Sequence, residues 1–188
     1  MRSPPRIKSS RLYREYSKTR SNSYSPGSPP PRLPKLQRLI LFFATGAGAG
    51  YIPRLPGTAG TLLAIPLSLA LNRIAVSSIS ISLLTLVVFI LMAAWFAERA
   101  EEIFQERDCQ RIVIDEIAGF LLANFLSPAR FETLAMAFLL FRFFDIMKIA
   151  PANRAGQIKG GTGVVMDDLV AGLYTFLILR LVFSLGLL

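Results

Sequence analysis

Histidine is absent from the chain, and cysteine occurs once, as Cys109. Without histidine there is no Ser-His-Asp triad, no phosphohistidine chemistry, no histidine-dependent lipid phosphatase and no His-ligated zinc. A single thiol makes neither an internal disulfide nor a thiolate metal site. Cys109 is not the nucleophile of a Cys-x5-Arg phosphatase either, because Asp115 stands where the arginine would be. Charge is also scarce. Only 18% of the residues carry it against 53% hydrophobic ones, and the mean hydropathy of +0.49 points to a membrane.

What is present is apolar sequence in unequal pieces. Residues 74–97 form an uncharged run of 24, enough to cross a hydrocarbon core of about 30 Å at about 1.5 Å per residue. Five other runs (39–51, 62–71, 117–129, 133–141 and 169–179) are shorter and interrupted by Arg, Pro or acids. Broken helices at membrane depth survive where they pack on protein or line a polar cavity. The expected fold is all-α, a membrane-embedded helical bundle with several short or broken apolar helices, over 39–188. Residues 1–38 precede it as a disordered basic tail rich in Ser, Pro and Arg.

That tail explains the net charge of +9. It holds ten of the 21 basic residues and one of the twelve acids, which leaves eleven of each sign in 39–188. The basic character therefore argues for no nucleic-acid partner. It suits attraction to an anionic lipid surface, at about 1 kcal/mol per basic residue near the membrane. An organelle transit peptide and simple solvated disorder are the other readings.

Carboxylates stand out against the apolar background. Asp167 and Asp168 follow Gly160-Gly161-Thr162-Gly163, whose glycines permit a tight turn. The expected helix starts after them, over 169–179, which puts both acids at its entrance. One aspartate there is a helix cap. A second one beside it calls for a cation, since adjacent like charges disfavour each other's ionisation.

Asp115 and Glu116 form another pair, embedded in aliphatic residues. Arg142, Asp145 and Lys148 recur every third residue, so a helix gathers them on one side, either as a salt-bridge ladder or as a site. Residues 149–163 read as a loop that delivers Arg154 and Lys159 next to Asp167 and Asp168. The acid-rich stretch 98–108 reads as a helix continuing into water.

Pro56-Gly57-Thr58-Ala59-Gly60-Thr61 is neither a dinucleotide fingerprint nor a Walker loop. It is either a prolyl turn with threonine caps or a helix N-terminus offering Gly57, Thr58, Gly60 and Thr61 to an anion. Oxygen ligands without soft donors suit Mg²⁺, and the neighbouring bases suit a phosphate ester.

The chain resembles the phosphatidylglycerophosphatase A family of bacterial membrane lipid phosphatases. The resemblance rests on four motifs in order: 56–61, Ile114-Asp115-Glu116-Ile117-Ala118-Gly119, Phe141-Arg142-Phe143-Phe144-Asp145-Ile146-Met147-Lys148, and 160–172. The chain departs from the family's pattern at Ile149-Ala150-Pro151, where Lys-Pro-x-Pro is common, and at Lys159, where a histidine is frequent.

The resemblance implies Mg²⁺-dependent hydrolysis of phosphatidylglycerophosphate to phosphatidylglycerol and phosphate. It implies metal ligation by Asp115, Glu116, Asp145, Asp167 and Asp168, and catalytic roles for Asp115, Glu116, Asp145, Asp168, Arg142 and Lys148. Gly57, Thr58, Gly60, Thr61 and Lys159 are the expected phosphate contacts. The expected location is the bacterial inner membrane, multi-pass, with the site on the cytoplasmic face. A non-enzymatic ion or proton carrier using intramembrane carboxylates is the alternative.

Overall fold

A serine sets the first departure from the sequence pattern. The uncharged run at 74–97 is not one helix, because Ser78 is extended (φ −159°, ψ 112°) and ends one helix while starting the next. Its N–H donates to the Ile74 carbonyl at 2.9 Å, and its hydroxyl accepts from Ile81 N. A hydroxyl that satisfies a helix end can terminate a helix in a stretch lacking Gly, Pro and charge.

The computed structural model describes residues 33–107, 109–147 and 161–187. Six α-helices occur among them: α1 (Lys35–Ala44), α2 (Pro56–Ser77), α3 (Ile79–Phe104), α4 (Ile114–Ala123), α5 (Phe131–Met147) and α6 (Gly161–Ser184). A short 3-10 turn, Ala49–Tyr51, lies between α1 and α2, and no strand occurs among the described residues. The expected tail lies outside the described residues as far as Arg32. Regular structure begins at Lys35, four residues before the expected boundary, because Ile40 and Ala44 bury α1 against Ala93 and Ala97 of α3.

Helices α2 and α3 are long and apolar enough to cross a membrane, and only 17% of the most apolar window of α3 is buried. A core helix of a soluble protein would be mostly covered. Here Leu83, Leu84, Val87, Val88 and Leu91 face outward, as lipid-facing residues do. The proline at 66 does not divide α2, which fits the tolerance of membrane helices for proline.

Short α4 sits at the centre, with α6, α2, α3 and α5 around it. Phe120 and Phe141 meet edge-on at 5.9 Å between centroids, inside a core shared by α2, α4, α5 and α6. At the closest approach of α4 and α6, a Cβ on Gly172 would overlap the Gly119 carbonyl oxygen. The starts of α2, α4 and α6 and the end of α5 thereby gather at one end of the bundle.

The acid-rich extension after residue 97 stays helical only to Phe104, and Gln105 ends it in the left-handed region (φ 56°). The start of α6 differs more from expectation. Helix begins at Gly161, so Asp167 and Asp168 are its seventh and eighth residues rather than its entrance. The reason is packing: Val165, 1% exposed, is buried in one cluster with Ile114 and Ala118 of α4, which stabilises a glycine-containing first turn as helix.

Candidate active site

Val113 anchors the start of α4 by donating its N–H to the Ala44 carbonyl at 2.9 Å. The first turn of α4 carries Asp115 and Glu116. Asp115 Oδ1 accepts from the Glu116 N–H at 3.1 Å, so this acid answers one of the unpaired N–H groups at the helix start. Helix α6 brings Asp168 alongside. One oxygen from each of Asp115, Glu116 and Asp168 lies within 4.8 Å of the others.

Burial makes this cluster costly as bare anions. Asp115 and Asp168 are each 6% exposed, and Glu116 Oε2 is buried without a hydrogen-bond partner. Like charges held this close and away from water require a cation or shared protons. The donors are hard oxygens only, and the orphaned Glu116 oxygen leaves a ligand position open, so the site fits a hard divalent ion.

Two cationic features face the acids. Arg142 of α5 is paired with Asp145, three residues on, and its Nε is buried without a partner. Asp145 is in turn within side-chain hydrogen-bonding reach of Asp168. The other feature is the N-terminus of α2, with proline in its first turn. A Cβ at Gly57 would overlap Glu116 Oε1 and lie 3.0 Å from Arg142 Nη1. Only glycine lets this helix start so near the acids, and the N–H groups there are suited to a phosphate oxygen.

The structure therefore brings together Asp115, Glu116, Asp168, Asp145, Arg142 and Gly57. Asp167, the next residue on α6, is partly buried and outside the three-acid cluster. Thr61 is fully buried, and its hydroxyl donates to the Gly57 carbonyl at 2.9 Å rather than facing a ligand. Gly60 packs on Val113, where an added Cβ would meet the Val113 side chain at 2.8 Å. Thr58 is partly exposed on the first turn of α2. Lys148, Arg154 and Lys159 lie outside the described residues, as does the expected loop as far as Gly160.

The sequence patterns pass over a second polar layer made by Ser68, Asn72, Asn124, Ser127 and Arg180. A lone arginine inside an apolar helix is the signal that points to it.

An apolar-surfaced helical bundle with buried carboxylates able to hold a hard ion at one end, beside an arginine and a helix N-terminus, suits a membrane-associated protein acting on a phosphate group. A profile of the family described as phosphatidylglycerophosphatase A matches residues 42–183. The chain belongs to that family, and it is a phosphatase.

Among relatives, a Bacteroides thetaiotaomicron protein provisionally named a phosphatidylinositol-3-phosphatase is 34% identical over 146 residues, 75% of this chain and 91% of that one. A Haemophilus influenzae phosphatidylglycerophosphatase A is 28% identical over 141 residues, 74% of this chain and 85% of its own. The Escherichia coli phosphatidylglycerophosphatase A is 29% identical over 131 residues, 69% and 74% respectively. No solved structure matches. Family membership decides against the non-enzymatic carrier.

Proposed function

We propose that the chain removes the terminal phosphate of phosphatidylglycerophosphate with the help of Mg²⁺, giving phosphatidylglycerol and inorganic phosphate. The observation that carries this reading is the approach of Gly57, at the start of α2, to both Glu116 and Arg142. It puts anion-binding groups and acids within one substrate's reach.

Asp115, Glu116 and Asp168 would hold the ion, with Asp145 and Asp167 beside them. Bound there, Mg²⁺ would offset the acids' repulsion and favour ionisation of water at neutral pH. The N–H groups at Gly57 and Thr58 hold phosphate oxygens. Arg142, oriented by Asp145, balances the charge that grows on the transferring group. Glu116 would take the proton of the attacking water on the carboxylate oxygen not spent on the ion and pass it to the glycerol oxygen as the phosphorus–oxygen bond breaks. Lys148 would join Arg142 in balancing the charge on the transferring group, and Lys159 would contribute to phosphate binding.

On this reading the site would face the cytoplasm in a multi-pass inner-membrane protein, and the charge of the basic tail would favour anionic lipid. The name of the Bacteroides relative favours a second headgroup, a 3-phosphorylated inositol lipid, on the same chemistry.

The test is phosphate release by the purified, detergent-solubilised protein. Phosphatidylglycerophosphate, phosphatidylinositol 3-phosphate and phosphatidic acid are compared with Mg²⁺ and with chelator. Release from the first alone, abolished by chelation, is expected. Preferential release from the inositol lipid moves the assignment to that headgroup, and release that survives chelation removes the metal from it.

A further inference from the structure

The far end of α4 is tied to the same two helices that meet its acidic end. After α4 the chain turns at 124–127, and Asn124, Phe125 and Ser127 are buried there, with Leu126 at φ 57°. Carbonyls at a buried helix end need partners. Arg180 of α6 supplies them through Nη2, donating to Leu126 O at 2.9 Å, Ser127 Oγ at 3.0 Å and Phe125 O at 3.3 Å. Its guanidinium also sits over the rings of Phe176 and Phe183, 5.2 and 5.0 Å from their centroids.

Helix α2 supplies the rest. The Asn72 amide donates to Asn124 O at 2.8 Å and Ser127 O at 3.1 Å, and its Oδ1 accepts from Leu126 N at 2.8 Å. Asn124 donates to Ser68 Oγ at 3.0 Å.

Each of these helices contributes twice. Helix α2 carries Gly57 at one end and Asn72 about 22 Å along its axis, and α6 carries Asp168 and, about 18 Å further, Arg180. Apolar side chains alone fix helix register weakly in lipid, where burial between helices gains little over contact with acyl chains. Directional polar bonds fix it.

We infer that Arg180 and Asn72 are positioning residues for the reaction: they lock α2, α4 and α6 in register from the far end and so set the spacing of Gly57, Asp115, Glu116 and Asp168. The inference rests on the reading that the acid layer is the reaction centre.

The experiment measures kcat and KM for phosphatidylglycerophosphate with the parent protein, Arg180→Met, Arg180→Lys, Asn72→Ala, Ser127→Ala and, as a control, Asp168→Asn. Each is assayed well below its own melting temperature. Arg180→Met and Asn72→Ala are expected to lower kcat by roughly 10- to 100-fold, the scale of a misplacement of about 1 Å. KM should stay within about twofold, since phosphate-contacting groups remain. Arg180→Lys, which keeps a cation with three donors, should restore most of kcat, and Ser127→Ala should fall between.

Folded Arg180→Met and Asn72→Ala proteins with parental kcat overturn the proposal, as does a loss confined to KM. Failure of every variant of this layer to fold also overturns it, because the layer is then a folding element only. An inactive parent, or an active Asp168→Asn, instead defeats the reading of the acid layer.

Discussion

Gly119 and Gly172, the pair at the closest approach of α4 and α6, each lie one helical turn beyond an aspartate, Asp115 and Asp168 respectively. The two segments share a pattern, Asp-Glu-Ile-Ala-Gly and Asp-Leu-Val-Ala-Gly. Because residues four apart stack on one helix face, the glycine crossing is what lets the two aspartates face each other. Gly172→Ala pushes a methyl into the Gly119 carbonyl. It should cost about 1–3 kcal/mol, the usual range for overpacking, and lower kcat as the acids separate. A melting curve and a phosphate-release assay check this, and parental values for both would show that the crossing does not set the site.

Neutralising one member of the acid cluster should divide activity from stability. Asp168→Asn and Glu116→Gln are each expected to lose at least about 100-fold in turnover. In chelator both should melt higher than the parent, by about 2–4 °C for each kcal/mol of relieved repulsion. Adding Mg²⁺ should raise the parent more than either variant, because only the parent keeps every carboxylate of the proposed ligand set. Calorimetry with and without chelator reads the crossover. Equal Mg²⁺-induced shifts in all three proteins would mean that the ion binds elsewhere.

Gly57→Ala tests the cradle without touching a charge. The new Cβ would fall on the Glu116 carboxylate, so Glu116 must move and the route to Arg142 narrows. Turnover should drop roughly 10- to 100-fold, with helical content retained. An active Gly57→Ala enzyme would place the phosphate somewhere other than the start of α2.

Glu106 bonds to two residues of the connector from α3 to α4, Cys109 and Arg111. Its carboxylate is held below the ordinary range, first by the hydrogen bond from Cys109 and then by Arg111, which pairs with it at 2.8 Å. A group whose pKa falls on folding adds stability above its unfolded pKa and loses it as pH drops through the folded one. Local order around Cys109 should therefore persist at neutral pH and loosen in acid, as pH falls through the lowered pKa of Glu106. Glu106→Gln should imitate the acid state, and a thiol reagent at neutral pH should then modify Cys109 faster than in the parent. An unchanged rate would show that Cys109 is shielded by its neighbours alone.

Much of this molecule is legible in the residues. Hydropathy points to apolar helices, and the acidic pairs, Arg142 and the Pro56–Thr61 stretch are the groups that the fold gathers at one end. What escapes is set by contacts between helices. Nothing local marks Gly161 as a helix start, because the stabilising contact of Val165 is with α4. The break at Ser78 escapes for the opposite reason: one hydroxyl ends a helix inside a uniformly apolar run. Asn72 and Arg180 read as isolated polar residues until the turn at 124–127 is seen between them, and Thr61 reads as a ligand group until its hydroxyl is seen bonded to its own helix.

The gathering of helix ends on one side of the bundle also decides how substrate is counted. On the proposed reading, a reaction centre at that end of the bundle meets a headgroup whose acyl chains stay in their leaflet, so encounter is a search in two dimensions. Turnover then follows the mole fraction of substrate in the surrounding bilayer, and diluting it with inert lipid slows the enzyme while adding water does not.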